Sequence, residues 1–186
     1  MKRLVDFTLA ALLCAAFLPF ITLVAVAVRL TSKGPALYWS DRIGRDNRIF
    51  KMPKFRSMRL GTPAVATHLL ANVDSHLTPI GSFLRKSSLD ELPQLWSVLV
   101  GDMSLVGPRP ALFNQLDLMA ARTDAGVAAL RPGITGWAQV NGRDELAIAD
   151  KVALDAVYLQ RQSLWFDMHI LWLTVLKVLR REGVSH

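Results

Sequence analysis

From Phe7 to Val28 the chain holds 22 residues with no charge among them. As a straight helix such a run covers roughly 33 Å, enough to cross the hydrocarbon of a bilayer. Two features set it apart from a plain span. Pro19 falls near its middle, removes one backbone donor, frees the carbonyl of Ala15 and predicts a kink or break at Leu18-Pro19. Basic residues also flank it on both sides, Lys2 and Arg3 before it and Arg29 and Lys33 after it. A span would place one pair on the translocated side, against the positive-inside bias. A hairpin that enters and leaves the same leaflet keeps both pairs together, and a break at depth is tolerated where the freed backbone groups find partners. On geometry alone, span and hairpin both stay open. A cleaved signal peptide fits poorly: no small-x-small site leads into a mature domain, and Ala11-Leu12-Leu13-Cys14 is a poor lipid-attachment motif.

Beyond Ser32-Lys33-Gly34-Pro35, which reads as a turn leaving the apolar run, the pattern shortens. Ala36-Leu37-Tyr38-Trp39 and Arg48-Ile49-Phe50-Lys51-Met52 predict two strands of a small hairpin joined near Gly44. Gly61 to Pro79 reads as a loop with a short helix. It carries His68, Asp74 and His76, whose spacing matches no metal motif and which read as surface residues. Leu84 to Val100 is helical in pattern. Pro93 is tolerated only in a first turn, so the helix predicted there starts near Asp90 and stops at Gly101. Ala111 to Ala129 is Ala/Leu-rich and helical. Lys151 to Arg181 predicts a long helix broken near Ser163. Its second half, from Leu164-Trp165-Phe166 to Lys177 and Arg180, suits either a helix lying in a membrane interface or an ordinary buried helix. Together these elements predict an α+β chain, mainly helical.

With 52% hydrophobic and 20% charged residues, the chain is neither a disordered polar segment nor a polytopic transporter, and 186 residues is the length of one domain. Its net charge of +7 points to an anionic partner: nucleic acid, acidic lipid or a phosphorylated substrate. Seven of the cations (Arg42, Arg45, Arg48, Lys51, Lys54, Arg56, Arg59) fall between Ala36 and Arg59, against Asp41 and Asp46. They read either as a solvated basic face or as a site for headgroups or substrate phosphates. The lone cysteine, Cys14, excludes an internal disulfide framework and a Cys-based zinc site.

Three segments carry candidate chemistry. Asp90-Glu91 is an acidic pair at a predicted helix start. Ser88-x-x-Glu91 fits a capping box, which is the plain structural role. The alternative is a nucleophilic or metal-binding pair, since a carboxylate can attack phosphorus and magnesium can bridge carboxylate and phosphate oxygens. In Gly107-Pro108-Arg109-Pro110, two prolines fix the backbone on either side of Arg109, which suits either a surface turn or a guanidinium preset for phosphate. Arg131-Pro132-Gly133-Ile134-Thr135-Gly136-Trp137, continuing through Asn141-Gly142-Arg143, has the composition of a loop that could cradle a nucleotide. Neither a Walker A motif nor a dinucleotide fingerprint occurs.

Leu89-Asp90-Glu91-Leu92-Pro93-Gln94-Leu95-Trp96, Gly101-Asp102-Met103-Ser104-Leu105-Val106-Gly107-Pro108-Arg109-Pro110 and Arg131-Pro132-Gly133-Ile134-Thr135-Gly136-Trp137 resemble the signature of bacterial sugar transferases. From Lys2 to about Ser185 the chain is similar to the small monotopic phosphoglycosyl transferases, the minimal form of the polyprenyl-phosphate sugar-1-phosphate transferases. The resemblance implies a reaction: a UDP-sugar gives its sugar-1-phosphate to undecaprenyl phosphate and UMP leaves. It implies that Asp90 is the nucleophile and carries a covalent phospho-sugar. Glu91 then assists with metal or proton, Asp90 and Glu91 hold Mg²⁺, Arg109 holds phosphate, Lys54 is a basic group near the site and Arg143 contacts the nucleotide. It also implies a re-entrant helix-break-helix at Leu18-Pro19, where the family has a Ser-Pro pair. That divides the chain into a membrane hairpin at 1–33 and a cytoplasmic catalytic domain at 34–186 on the bacterial inner membrane. By analogy with the minimal form, the sugar is N-acetylated or diamino; a larger relative's hexose phosphate is the competing chemistry. Membrane lipids are partners, nucleic acid is not, and a homodimer is left open. The rival class is a non-catalytic basic module, anchored at a membrane, that binds acidic lipid or nucleic acid.

Overall fold

The computed structural model describes residues 1–63, 65, 70, 72–142 and 146–180; His68, Arg143 and the segment 181–186 lie outside them. A single helix, α1 (Lys2–Thr31), forms the N-terminal part. An antiparallel hairpin of β1 (Leu37–Ile43) and β2 (Ile49–Phe55) follows, with Tyr38 opposite Lys54. Four helices come next in pairs: α2 (Val73–His76) and α3 (Gly81–Lys86), then α4 (Gln94–Val100) and α5 (Leu116–Asp124), with strand β3 (Ser104–Val106) between the last two. Strand β4 (Gly133–Thr135) pairs in parallel with β3. Helices α6 (Trp137–Val140), α7 (Ile148–Arg161) and α8 (Leu164–Arg180) complete the order.

The expected hairpin is present and longer than its apolar core suggested. Its tip is turned by Asp46 and Asn47, both at positive φ. The break expected near Ser163 falls between α7 and α8. Ala111 to Ala129 is less helical than its composition predicts: α5 covers nine residues, followed by a 3₁₀ turn at Val127–Ala129. The β3–β4 pair was not foreseen. It is three residues long on each side, too short to show a period of two in the sequence.

Leu18 and Pro19 sit inside α1, whose backbone stays helical through the position where a kink or break was expected. Proline deletes one bond of the ladder, and a single lost bond does not end a 30-residue helix. Thr22 Oγ1 donates to Leu18 O at 2.9 Å, a side-chain bond beside the gap. Positions 15 to 20 are exposed all round. The two ends of α1, by contrast, are both fixed to the rest of the fold. Near its start, Lys2 Nζ pairs with Asp167 Oδ2 at 2.7 Å, and Asp6 accepts from Ser104 Oγ at 2.8 Å and Leu105 N at 3.2 Å. Arg3 donates to the carbonyls of Val98 and Leu99 and so caps the C-terminal end of α4. Near its other end, Val24 and Val28 pack with Phe55 and Leu84. Arg56, almost fully buried, donates to Ser32 O, Ser32 Oγ, Lys33 O and Pro35 O.

The main core gathers Ala10, Met52, Leu95, Val98, Met103, Val106, Tyr158 and Ile170 from six elements and the loop before β3. Each Val, Leu, Ile or Met among them, fully buried, contributes about 1.5–3 kcal/mol. Burial pushes the Tyr158 hydroxyl well above its usual pKa, so it stays a donor, to Asp167 Oδ1 at 2.7 Å and Val106 O at 3.1 Å. The glycines of the third candidate segment serve backbone packing. A Cβ on Gly133 would meet Gly107 N at 2.1 Å, and one on Gly136 would meet Gly107 O at 2.1 Å. Trp137 packs with Phe166, ring centroids 5.1 Å apart. That stretch therefore packs backbone to backbone under Gly107-Pro108-Arg109. Gly133→Ala must push two backbones apart, and a loss of about 3 kcal/mol or more is expected, read as a fall in the thermal midpoint.

Candidate active site

Three segments far apart in sequence meet at Asp90-Glu91. The pair lies in a 3₁₀ turn, Leu89–Glu91, just ahead of α4. The helix begins at Gln94, later than predicted, with Pro93 at its N-cap position, where its missing N–H leaves no bond unmade. Ser88 stands at φ 55° and makes no side-chain cap bond, so the capping-box role is not taken up. Glu91 is instead drawn sideways. Its Oε1 accepts from Lys54 Nζ at 2.8 Å, on β2, and from Arg109 Nη2 at 3.2 Å, on the loop after β3. Each is a charge-assisted bond.

Asp90 is buried, 8% exposed. Burial pushes its carboxyl up to about 6 from 3.8; Lys54, Arg85 and Arg109 hold it back and Glu91 adds to the rise. The site thus holds two carboxylates facing three cations. That balance leaves room for a phosphorylated group, and a carboxyl poised near 6 is ionised at neutral pH yet poorly solvated, as a nucleophile should be. Asp90 and Glu91 are hard oxygen donors side by side, and no group of three or more His, Cys, Asp or Glu suited to a metal occurs among the described residues. Such a donor pair fits a magnesium ion completed by phosphate oxygens and water, and does not fit a closed protein cage.

Of the residues singled out in the sequence, Asp90, Glu91, Lys54 and Arg109 come together, and Arg143 lies outside the described residues. Arg85, on α3 five residues before Asp90, was missed: its charge reaches Asp90, but it lies outside the quoted motifs. The seven cations of 36–59 do not form one basic face. Lys51 pairs with Asp41, Arg45 with Asp46 and Lys54 with Glu91, while Arg56 and Arg59 donate to backbone carbonyls. Asp74 is exposed and His76 half-buried, both away from any metal cluster among the described residues.

A family model described as bacterial sugar transferase matches residues 1–181. An undecaprenyl-phosphate glucose phosphotransferase of Komagataeibacter xylinus is 43% identical over 94% of this chain and 35% of its own length. An undecaprenyl-phosphate galactose phosphotransferase of Salmonella typhimurium is 42% identical over 81% of the chain and 34% of its own length. The chain thus spans about a third of these two relatives. An uncharacterized sugar transferase of Bacillus subtilis is 42% identical over 100% of the chain and 90% of its own length.

Because folding raises the Asp90 pKa, its ionised form weighs against the fold. Below about pH 3.8 the group is protonated in both states and costs nothing; the stability it allows is lost as pH rises through about 6. Asp90→Asn should therefore be more stable than the parent at pH 8 by up to about 3 kcal/mol, and equal to it below about pH 4. Thermal midpoints against pH in EDTA test this; a constant difference across that range would show that burial of the charge is not its cause.

Proposed function

The chain belongs to the bacterial sugar transferase family, and from that we propose that it moves a sugar-1-phosphate from a UDP-sugar to undecaprenyl phosphate through a phospho-sugar on Asp90. The single observation that carries this reading is the buried Asp90 carboxyl, held near pH 6 beside the Lys54–Glu91–Arg109 contact. An Asp90 oxygen forms a bond to the β-phosphorus while the bond from that phosphorus to the UMP oxygen breaks. An oxygen of the lipid phosphate then attacks the same phosphorus and releases Asp90, giving the diphosphate-linked sugar. Lys54, Arg85 and Arg109 offset charge on the transferred phosphoryl group. Glu91 keeps Lys54 and Arg109 oriented. Magnesium, held by Asp90 and Glu91 when bound, supplies charge neutralisation on the diphosphate. The glucose and galactose phosphotransferases among the relatives favour glucose or galactose as the sugar, with N-acetylated sugars as the competing donors.

The fold also supports a monotopic placement. A spanning helix would hold its ends about 30 Å of hydrocarbon apart, with one end remote from the cytoplasmic domain. Here both ends of α1 are bonded to the same domain, through Lys2, Arg3 and Asp6 and through Ser32 and Lys33. Most of the exposed residues between them, Leu12, Leu18, Phe20 and Leu23 among them, are apolar. On α8, Trp165, Met168, Trp172 and Val175 share an exposed stripe while Phe166 and Ile170 face the core, as an interfacial helix requires. The active site then stands where a lipid phosphate and a cytosolic nucleotide sugar can both reach it. The rival basic module is disfavoured, because three of the seven cations of 36–59 pair with carboxylates and three more donate to backbone carbonyls.

The test is UMP release from UDP-glucose, UDP-galactose and their N-acetylated counterparts with Mg²⁺ and undecaprenyl phosphate. Turnover is expected with at least one donor, and silence with all of them counts against the reaction. Asp90→Asn should remove turnover, and enzyme given donor alone should gain the mass of a phospho-sugar. Arg109→Ala should lose on the order of 10²–10³ in rate. The wild-type rate should fall tenfold per unit below about pH 6, as Asp90 takes up its proton.

Single cysteines placed next to Lys2 and next to Lys33, in a Cys14→Ser background, should both react with a reagent confined to the cytoplasmic side. Reaction from opposite sides would mean a span.

A further inference from the structure

We propose that Arg122 and Arg42 are positioning residues for Arg109: they grip the backbone carbonyls of the Pro108-Arg109-Pro110 loop and so fix where the Arg109 guanidinium stands against Glu91. The role rests on the reaction proposed above.

Prolines have no N–H, so at 108 and 110 the backbone can be tied only through its carbonyls. Four consecutive carbonyls are tied, each to a different donor. Gly133 N donates to Pro108 O at 2.8 Å and Ile43 N to Ala111 O at 2.9 Å. Between them, Arg122 Nη1 donates to Arg109 O at 2.8 Å and Arg42 Nη1 to Pro110 O at 3.1 Å. The outer two donors are main-chain amides, which nearly any residue would supply. The inner two are side chains, so they are the part of the grip that the sequence must specify. They come from α5 and β1, on either side of the loop.

Each guanidinium is itself held from behind. Nε and Nη2 of Arg122 both donate to Asp155 Oδ2, at 3.0 and 2.7 Å, and Asp155 is fully buried. Nε of Arg42 donates to Ser40 Oγ at 3.0 Å, and Ser40 is buried. A planar fork can rest one edge on an anchor and aim another N–H at a carbonyl. A lysine ammonium, at the end of a flexible stem, cannot hold that geometry. The anchors also give these two arginines work that the net charge alone does not explain: neither needs to touch substrate. What they control is the position of the peptide that carries Arg109. A reacting group displaced by about 1 Å can lose on the order of 10²-fold in rate.

The test is a double-mutant cycle on the full chain in detergent or nanodiscs. Arg122→Lys keeps a positive charge opposite Asp155 but loses the fork. It should lower the rate of UMP release at least about tenfold while leaving the thermal midpoint within a few degrees of the parent. In an Arg109→Ala background the same substitution should cost little further, because the group it positions is gone. Arg42→Lys should behave alike and serves as the second variant if Arg122→Lys folds poorly. Full activity in both lysine variants would overturn the proposal, as would an equal fold-loss with and without Arg109. Failure of both variants to fold would assign the two arginines to stability alone and also overturn it. If the parent releases no UMP from any donor, the reaction reading fails on its own, and the grip is then read from binding of inorganic pyrophosphate by calorimetry. Weaker binding in Arg122→Lys that disappears as a difference once Arg109 is alanine supports the grip; unchanged binding removes it.

Discussion

The carboxylate of Glu91 accepts from Lys54, 37 residues upstream, and from Arg109, 18 residues downstream. Without it, those two cations would face each other with no carboxylate between them, and the acidic turn would lose its ties to the hairpin and to the proline loop. With it, the three segments close over Asp90, whose carboxyl is left largely out of water. That burial raises the Asp90 pKa and works against the fold, and the surrounding cations only partly offset it. A buried carboxylate that the protein would rather see neutral is one that gains by forming a bond to an electrophile. The same contact therefore gathers the site around a carboxyl that burial holds above its usual pKa.

Around this contact the fold is braced by polar ties more than by sheet. The two sheets are of two strands each, and the parallel one is only three residues long per strand. Rigidity comes instead from buried charges with assigned partners: Lys2 with Asp167, Asp6 with Ser104, Arg56 with the chain leaving α1, and Arg122 with Asp155. Removing one member of such a set leaves the other desolvated and unpaired, which is far costlier than the pair is worth when intact. Three of these sets fasten the ends of α1. They let an exposed apolar helix belong to the same body as the site, although no contact in the middle of the helix holds it there.

The parts of this fold that were legible in the sequence are those with a local cause. The apolar run made α1, alternation and turn residues made the hairpin, and the break near Ser163 separated α7 from α8. Asp90, Glu91 and Arg109 were legible because they sit in long motifs, and Lys54 through the family resemblance. Harder to read were effects whose cause lies elsewhere in the chain. Pro19 predicts a break, yet the helix runs through it, since the loss is one bond in a long ladder. The glycines at 133 and 136 have the composition of a ligand cradle, and the structure adds a packing reason for them that no local pattern shows: the backbone of Gly107 lies within van der Waals reach of both.

The sequence by itself determined the apolar helix, the acidic pair and the proline-fixed arginine, because each is set by residue type and spacing within a few positions. Only the tertiary structure decided what those residues touch. It sent Glu91 to Lys54 and Arg109 in place of a helix cap, split the basic stretch into separate pairs, and brought Arg42 and Arg122 to the carbonyls on either side of one peptide. Such pairings are chosen by burial: a charge taken out of water must find a partner, and which partner is within reach depends on how distant segments pack.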